Sequence, residues 1–279
     1  MRKQQLALIF TGILLLAGLY FFGNTIGPKK PASPAAESGT PATLTTEDVI
    51  TKYKANLNAQ QVQKLTQLEN SVVRGDVHNQ QIQIDHQLAS YWMDSLHREE
   101  IGAYYAGEAA KLENSEKNLT FAAHLLLDNM MASPDVSMQK WLATQAKELF
   151  DKALILNPGN DSSKIGLGAC YMFGNISDNP MQGILAIKEI ADKDTDNMYA
   201  QMMLGLGGVQ SGQYDKAVER FLTVVKKQPG NMEAVLNLAG TYERMGNKTE
   251  AVKWYKDALN YIQIPQTKKD IEERIKSLQ

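Results

Sequence analysis

Apolar residues recur at helical spacing along most of this chain. Ala217, Val218, Phe221, Val224 and Val225 form one such stripe, in a segment whose other positions are mostly charged. That spacing predicts an amphipathic helix with the stripe turned toward a core. The pattern is also repeated. Leu204, Gly212, Ala217 and Phe221 return as Leu238, Gly246, Ala251 and Tyr255, each pair 34 residues apart. Tyr214-Asp215-Lys216-Ala217-Val218 is echoed by Lys248-Thr249-Glu250-Ala251-Val252. A fixed period of this size predicts stacked helical hairpins, none of which can bury its apolar stripe alone.

The repeated positions resemble the tetratricopeptide repeat (TPR) family, whose pattern is W-x2-L-G-x2-Y, then A-x3-F, then P. The unit 198–231 carries Leu204-Gly205, Ala217-x3-Phe221 and Pro229; the unit 232–265 carries Leu238-Ala239-x2-Tyr242, Ala251-x3-Tyr255 and Ala258. An earlier unit, 161–197, has Leu167-Gly168-x2-Tyr171, with Ile187 and Ile190 in its second helix and three extra residues in its inter-helix turn. Ala146-x3-Phe150, Ala153 and Asn157-Pro158 close the unit that ends over 139–160. The Trp position of the motif is vacant (Lys164, Gln201, Val235), and Gly208 stands where Tyr is expected. The resemblance covers 139–265, is faint over 78–138 and is absent before that. It implies an all-α, right-handed superhelical stack of helical hairpins. Small residues (Gly168, Gly205, Ala239) are expected where helices approach, with Leu204, Phe221, Leu238 and Tyr255 filling the space between them.

The N-terminal pattern is different. After the tail 1–5, the stretch 6–26 is uncharged and rich in Leu, Ile, Ala, Gly and Phe. At ~1.5 Å per residue it spans about 30 Å, one bilayer core. A cleaved leader should have an apolar region of only ~7–15 residues and a small-x-small site. The candidate sites near Ala32 and Ala35 are crowded by prolines, so the run reads as an uncleaved transmembrane anchor. Arg2 and Lys3 before it, with a short N-terminal tail, lean toward a cytoplasmic N-terminus; Lys29 and Lys30 follow it and temper that lean. In a bacterium this makes a single-pass inner-membrane protein with a periplasmic C-terminal domain. Residues 27–44, with Pro28, Pro31, Pro34 and Pro41 among Ala, Ser and Thr, read as a semi-rigid linker.

Residues 45–138 read as a helical region with degenerate repeat-like hairpins. Thr45-x-x-Asp48 and Asn58-x-x-Gln61 look like capping boxes. Val62, Leu65, Leu68 and Val72 give a short apolar stripe, fit for packing on the repeats or, less well, for self-association. Hairpins are expected over 78–113 and over 118–156, the latter broken at Ser133-Pro134-Asp135. At the end, 266–279 reads as a capping helix started by Thr267-x-x-Asp270, with Ile271, Ile275 and Leu278 inward and a charged outer face.

Composition narrows the function. The net charge is -2 and no long basic run occurs, which argues against nucleic acid as a partner. One cysteine, Cys170, excludes an intrachain disulfide and a cysteine zinc cluster, and its apolar neighbours predict a buried, inert thiol. His78, His86, His97 and His124 show no metal-ligand spacing. His97-Arg98-Glu99-Glu100 holds acid and base types but reads as a solvated helical turn. Gly205-x-Gly207 lacks the third glycine and the preceding strand of a dinucleotide loop. Gly207 and Gly208 are read either as a close helix contact or as bare backbone lining a groove. No catalytic, cofactor-binding or metal residues are assigned, and the chain is expected not to be an enzyme.

By resemblance, the expected role is a membrane-anchored scaffold or adaptor for protein or peptide partners, in envelope assembly or secretion. The alternatives are a self-associating structural component and an accessory subunit of an enzyme complex such as cytochrome c maturation. In the repeat family the first helix of each unit lines the concave face. That places Ile165, Ala169, Met172 and Phe173, then Tyr199, Met202, Leu206 and Val209, then Leu236 and Asn237 on the candidate partner face. Methionines beside aromatics suit adaptable apolar recognition. Glu233 would repel a carboxylate, so the face is not expected to grip a free C-terminus. The rival expectation fills this face with the chain's own N-terminal helices.

Overall fold

The computed structural model describes residues 44–71 and 76–279. The expected anchor at 6–26, nearly all of the linker and Val72 lie outside the described residues. The described residues fall within one compact unit. Among the described residues no helix is long and apolar enough to cross a membrane.

The chain enters through α1 (Thr46–Lys54) and α2 (Ala59–Glu69), and both begin at the capping boxes read from the sequence. Thr45 accepts from the Asp48 N–H, and Asn58 accepts from the Gln61 N–H, while each third residue reaches back to the cap. Leu65 and Leu68 of α2 are buried and Val62 is exposed, so the stripe packs on the next hairpin. That hairpin is α3 (Val77–Ser90), which runs on into a π-helical turn (Tyr91–Ser95), and α4 (Glu99–Glu113). Tyr53 of α1 donates to Glu100 of α4, and Arg98 lies over the Tyr53 ring at 5.6 Å. The His97–Glu100 turn is thus a strut between helices.

Four more antiparallel hairpins follow in stacking order: α5 (Glu116–Ala132) with α6 (Val136–Leu156), α7 (Asp161–Phe173) with α8 (Met181–Lys193), α9 (Met198–Gln210) with α10 (Tyr214–Lys227), and α11 (Met232–Arg244) with α12 (Lys248–Ala258). The first helices touch in series, α5 to α7 to α9 to α11, and make one row of the stack. Asparagines start three of them: the side chains of Asn160, Asn197 and Asn231 accept from the N–H groups of Ser163, Ala200 and Ala234. One core runs through all hairpins, with Trp92, Phe150, Phe221 and Leu142 among its fully buried side chains.

Small residues mark the helix crossings. A Cβ on Gly168 would stand 2.7 Å from the Ile187 side chain and 3.0 Å from the Gly183 carbonyl oxygen; one on Gly205 would stand 2.5 Å from the Phe221 ring. A Cβ on Gly208 would stand 3.1 Å from that of Ala217, and one on Gly207 2.4 Å from the Met172 methyl, so both glycines serve close packing. Gly212 and Gly246 turn each of the last two hairpins at positive φ, 73° and 75°. The chain ends in α13 (Pro265–Leu278). Its start differs from the expected Thr267 box: Ile264 occupies the cap position and Pro265 opens the helix, because a proline at the first turn loses no hydrogen bond. Ile271 and Ile275 are buried against the stack, and Arg274 pairs with Glu243 of α11.

Candidate functional site

The first helices curve tightly enough for α5 and α9, two hairpins apart, to meet over the start of α7. His124 of α5 is the junction. Its Nε2 lies 2.8 Å from the Ser162 hydroxyl of α7, and its Nδ1 lies 3.4 Å from the Tyr199 hydroxyl of α9. Its ring meets Phe150 of α6 and Tyr199 edge-on, with centroids 5.0 and 5.4 Å apart. Burial lowers the pKa of the imidazole below its ordinary 6.5, so it is neutral at pH 7. Burial raises that of the Tyr199 phenol.

Beside this junction lies an open cleft of about 630 Å³, within the size range of ligand-binding clefts. One wall is the α5 face of His124, Leu127, Asp128 and Met131, residues at i, i+3, i+4 and i+7. The facing wall is α9, with Met198, Tyr199, Met202 and Leu206. The rim is Gln228, Asn231 and Glu233, at the entry to α11. The floor is apolar and the rim is polar amides and carboxylates. Burial raises the pKa of Asp128 above the ordinary carboxylate range; Glu233 is raised first by burial and then by the charge of Asp128. Both residues keep a solvent-exposed side even so.

The face expected from the sequence divides. Tyr199, Met202 and Leu206 line the cleft together. Ile165 and Ala169 are fully buried, and Met172 is nearly so, because α7 sits beneath the α5–α9 junction with its face inside the core. Phe173, Val209 and Leu236 are half-buried against that core. Asn237 spends one amide proton on the Glu233 carbonyl oxygen at 2.9 Å. The chain's own α1 and α2 pack away from the cleft, on α3, α4 and α6 (Trp141 donates to Thr46), so neither fills it. The α5 wall was missed, because that hairpin departs from the repeat motif and its inner positions could not be assigned. The spacing of His124, Leu127, Asp128 and Met131 was the signal that could have found it.

Cys170 lies on the buried face of α7, and burial pushes its thiol up to about 12, so it is an inert core residue. Among the described residues no group of His, Cys, Asp and Glu is placed to hold a metal, and no catalytic constellation is present.

Against known proteins, the structure of TTC0263, a thermophilic TPR protein in Thermus thermophilus, superposes with a TM-score of 0.53 at 18% identity, over 71% of this chain and 98% of that one. The fold is TPR-like. PilW, described as a widely conserved type IV pilus biogenesis factor, aligns at 16% identity and a TM-score of 0.47 over 73% of this chain and 94% of its own. YrrB, a TPR protein with an unusual peptide-binding site, aligns at 15% identity and 0.42, over 76% and 97%. Residues 195–279 match the family described as Regulator of microtubule dynamics protein 1-3. No curated protein matches by sequence.

Proposed function

We propose that this chain is a membrane-anchored, non-enzymatic scaffold whose α5–α9–α11 cleft binds an extended segment of a partner protein. The observation that carries the reading is the cleft itself: an open, apolar floor of Met, Tyr and Leu on the row of first helices, left free by the helices of the described residues. Methionine adapts to varied apolar side chains, while Tyr199, held by His124, supplies a rigid anchor. Among the described residues no lysine or arginine lines the cleft, so no cation there pairs with a terminal carboxylate. The uncharged run at 6–26 supports the anchor, and Arg2 and Lys3 favour a domain on the trans side of the cytoplasmic membrane.

The test is binding of a peptide library to the purified protein, repeated with Tyr199→Ala and Leu206→Ala. Binders should weaken in both variants. Affinity unchanged by either substitution, or dependent on a free C-terminus, overturns the reading. Protease added to spheroplasts should digest the C-terminal domain; protection until lysis would reverse the orientation. The family matched by 195–279 is described by microtubule regulation. Co-sedimentation with polymerised tubulin is the assay that would carry that description to this chain.

A further inference from the structure

The cleft carries two carboxylates that serve no interaction within the described residues. Asp128 and Glu233 both line it, and neither side chain makes a hydrogen bond or an ion pair there. Elsewhere several acids are paired, as Asp151 is by Lys147 at 2.6 Å, Glu108 and Glu148 by Lys111 at 2.8 Å, and Asp196 by Lys227 at 2.8 Å; what sets Asp128 and Glu233 apart is that both line one cleft with apolar side chains. The two cleft acids have no basic neighbour among the lining residues, and His124 beside them is held neutral. They also face the same space closely enough for Asp128 to oppose the ionisation of Glu233. Two like charges, partly stripped of water above an apolar floor, work against the fold and attract a cation.

We infer that the cleft selects a partner segment bearing a lysine or arginine flanked by apolar residues, its cation received by Asp128 and Glu233 and its neighbours by the methionine floor. This rests on the peptide-binding reading above and adds the chemistry of the partner. The surroundings suit such a side chain. The methylene stem of Lys or Arg packs along apolar surface while its head stays at the polar rim, and here Met131, Met202 and Leu206 line the same cleft as the acids. A charge pair that leaves water on docking fixes register and discriminates against uncharged or acidic segments. The occupant we assign is a segment of another protein that brings the cation: among the described residues no Lys or Arg lines the cleft, and α1 and α2 pack elsewhere.

The experiment uses the full chain and a set of short apolar peptides, acetylated and amidated, that differ only in a central Lys, Arg, Gln or Glu. Lys and Arg peptides should bind about tenfold tighter than the Gln peptide, and the Glu peptide weakest, a difference that shrinks with added salt. In Asp128→Asn with Glu233→Gln the preference should vanish while the Gln peptide binds as before; thermal melts confirm that the double variant is folded. Equal binding of all four peptides, still weakened by Tyr199→Ala, overturns the cation preference and leaves the peptide-binding reading standing. No binding of any peptide overturns both. Two results reassign the cleft and overturn the proposal: Lys-peptide binding that rises in Lys29→Gln with Lys30→Gln, which gives it to the chain's own linker, and dimerisation abolished by the acid-removing variant, which gives it to a second copy.

Discussion

Phe221 shows how much one side chain holds. It is fully buried, and its ring fills the space that a side chain at position 205 would need. Phe221→Ala should cost about 3–5 kcal/mol, read from denaturant melts of the unit 42–279, and Gln213→Ala, in the exposed turn before α10, should stay within about 0.5 kcal/mol. Equal stability of the Phe221 variant and the parent would contradict the packing. His124 makes a pH-dependent contribution. It is faced by Phe150, Ser162 and Tyr199 and by no cation, and burial holds its pKa below 6.5. The unfolded chain therefore accepts a proton before the folded one does. Stability from this group is complete above about pH 6.5 and is lost as pH falls through that value toward the folded pKa. Asp128 and Glu233 act with the opposite sign, since acid neutralises carboxylates that the fold disfavours as anions. Comparing variants separates the two. His124→Gln should lose less melting temperature than the parent between about pH 7.5 and about pH 5.5.

At the level of elements, the asparagine caps matter most. Asn231 accepts from the Ala234 N–H at 3.0 Å and donates to Gln228 at 2.9 Å, so it starts α11 and also shapes the rim of the cleft. Asn231→Ala should destabilise by about 1 kcal/mol, and Asn231→Asp, which keeps the acceptor, should recover most of the loss in the same melts. These caps stand where the period requires them, Asn197 and Asn231 one repeat apart, yet a single asparagine is a weak sign of a helix start and they were not legible in advance. The boxes at Thr45 and Asn58, where a second polar residue stands three positions on, were legible and hold. The hairpins of α9 to α12 were legible because Ala217 and Ala251 return one period apart, both fully buried; Tyr255, at the position of the fully buried Phe221, departs from the expected filling role, staying half-buried and donating to Glu243. The role of α7 was not. Motif position marked Ile165 and Ala169 as concave, but whether a first helix reaches solvent depends on how sharply its neighbours curve over it, and that involves contacts such as His124 with Tyr199, residues far apart in sequence. The same lack of long-range information hid the α5 wall.

For the molecule as a whole, the bridge from α5 to α9 changes how the stack should come apart. A repeat array whose units touch only their neighbours unzips from either end, one hairpin at a time. Here α7 is enclosed: α5 and α9 close over it, with Ile165 and Ala169 at 0% exposure beneath, so it cannot open unless a flanking hairpin opens as well. Residues 116–227 should therefore exchange their backbone amide protons as one cooperative block, while α11 to α13, fastened by Val235, Leu238 and the Arg274–Glu243 pair, open earlier at lower free energy. Native-state hydrogen exchange measures this directly. Tyr199→Ala, which removes the clasp, should lower the protection of α7 as well as that of α9. If α7 keeps its protection in that variant, the clasp does not set cooperativity. A segment docked in the cleft would bind both ends of the clasp at once, so an occupied scaffold should be harder to unravel from the centre than an empty one, and the cargo would act as the last fastener of the array that carries it.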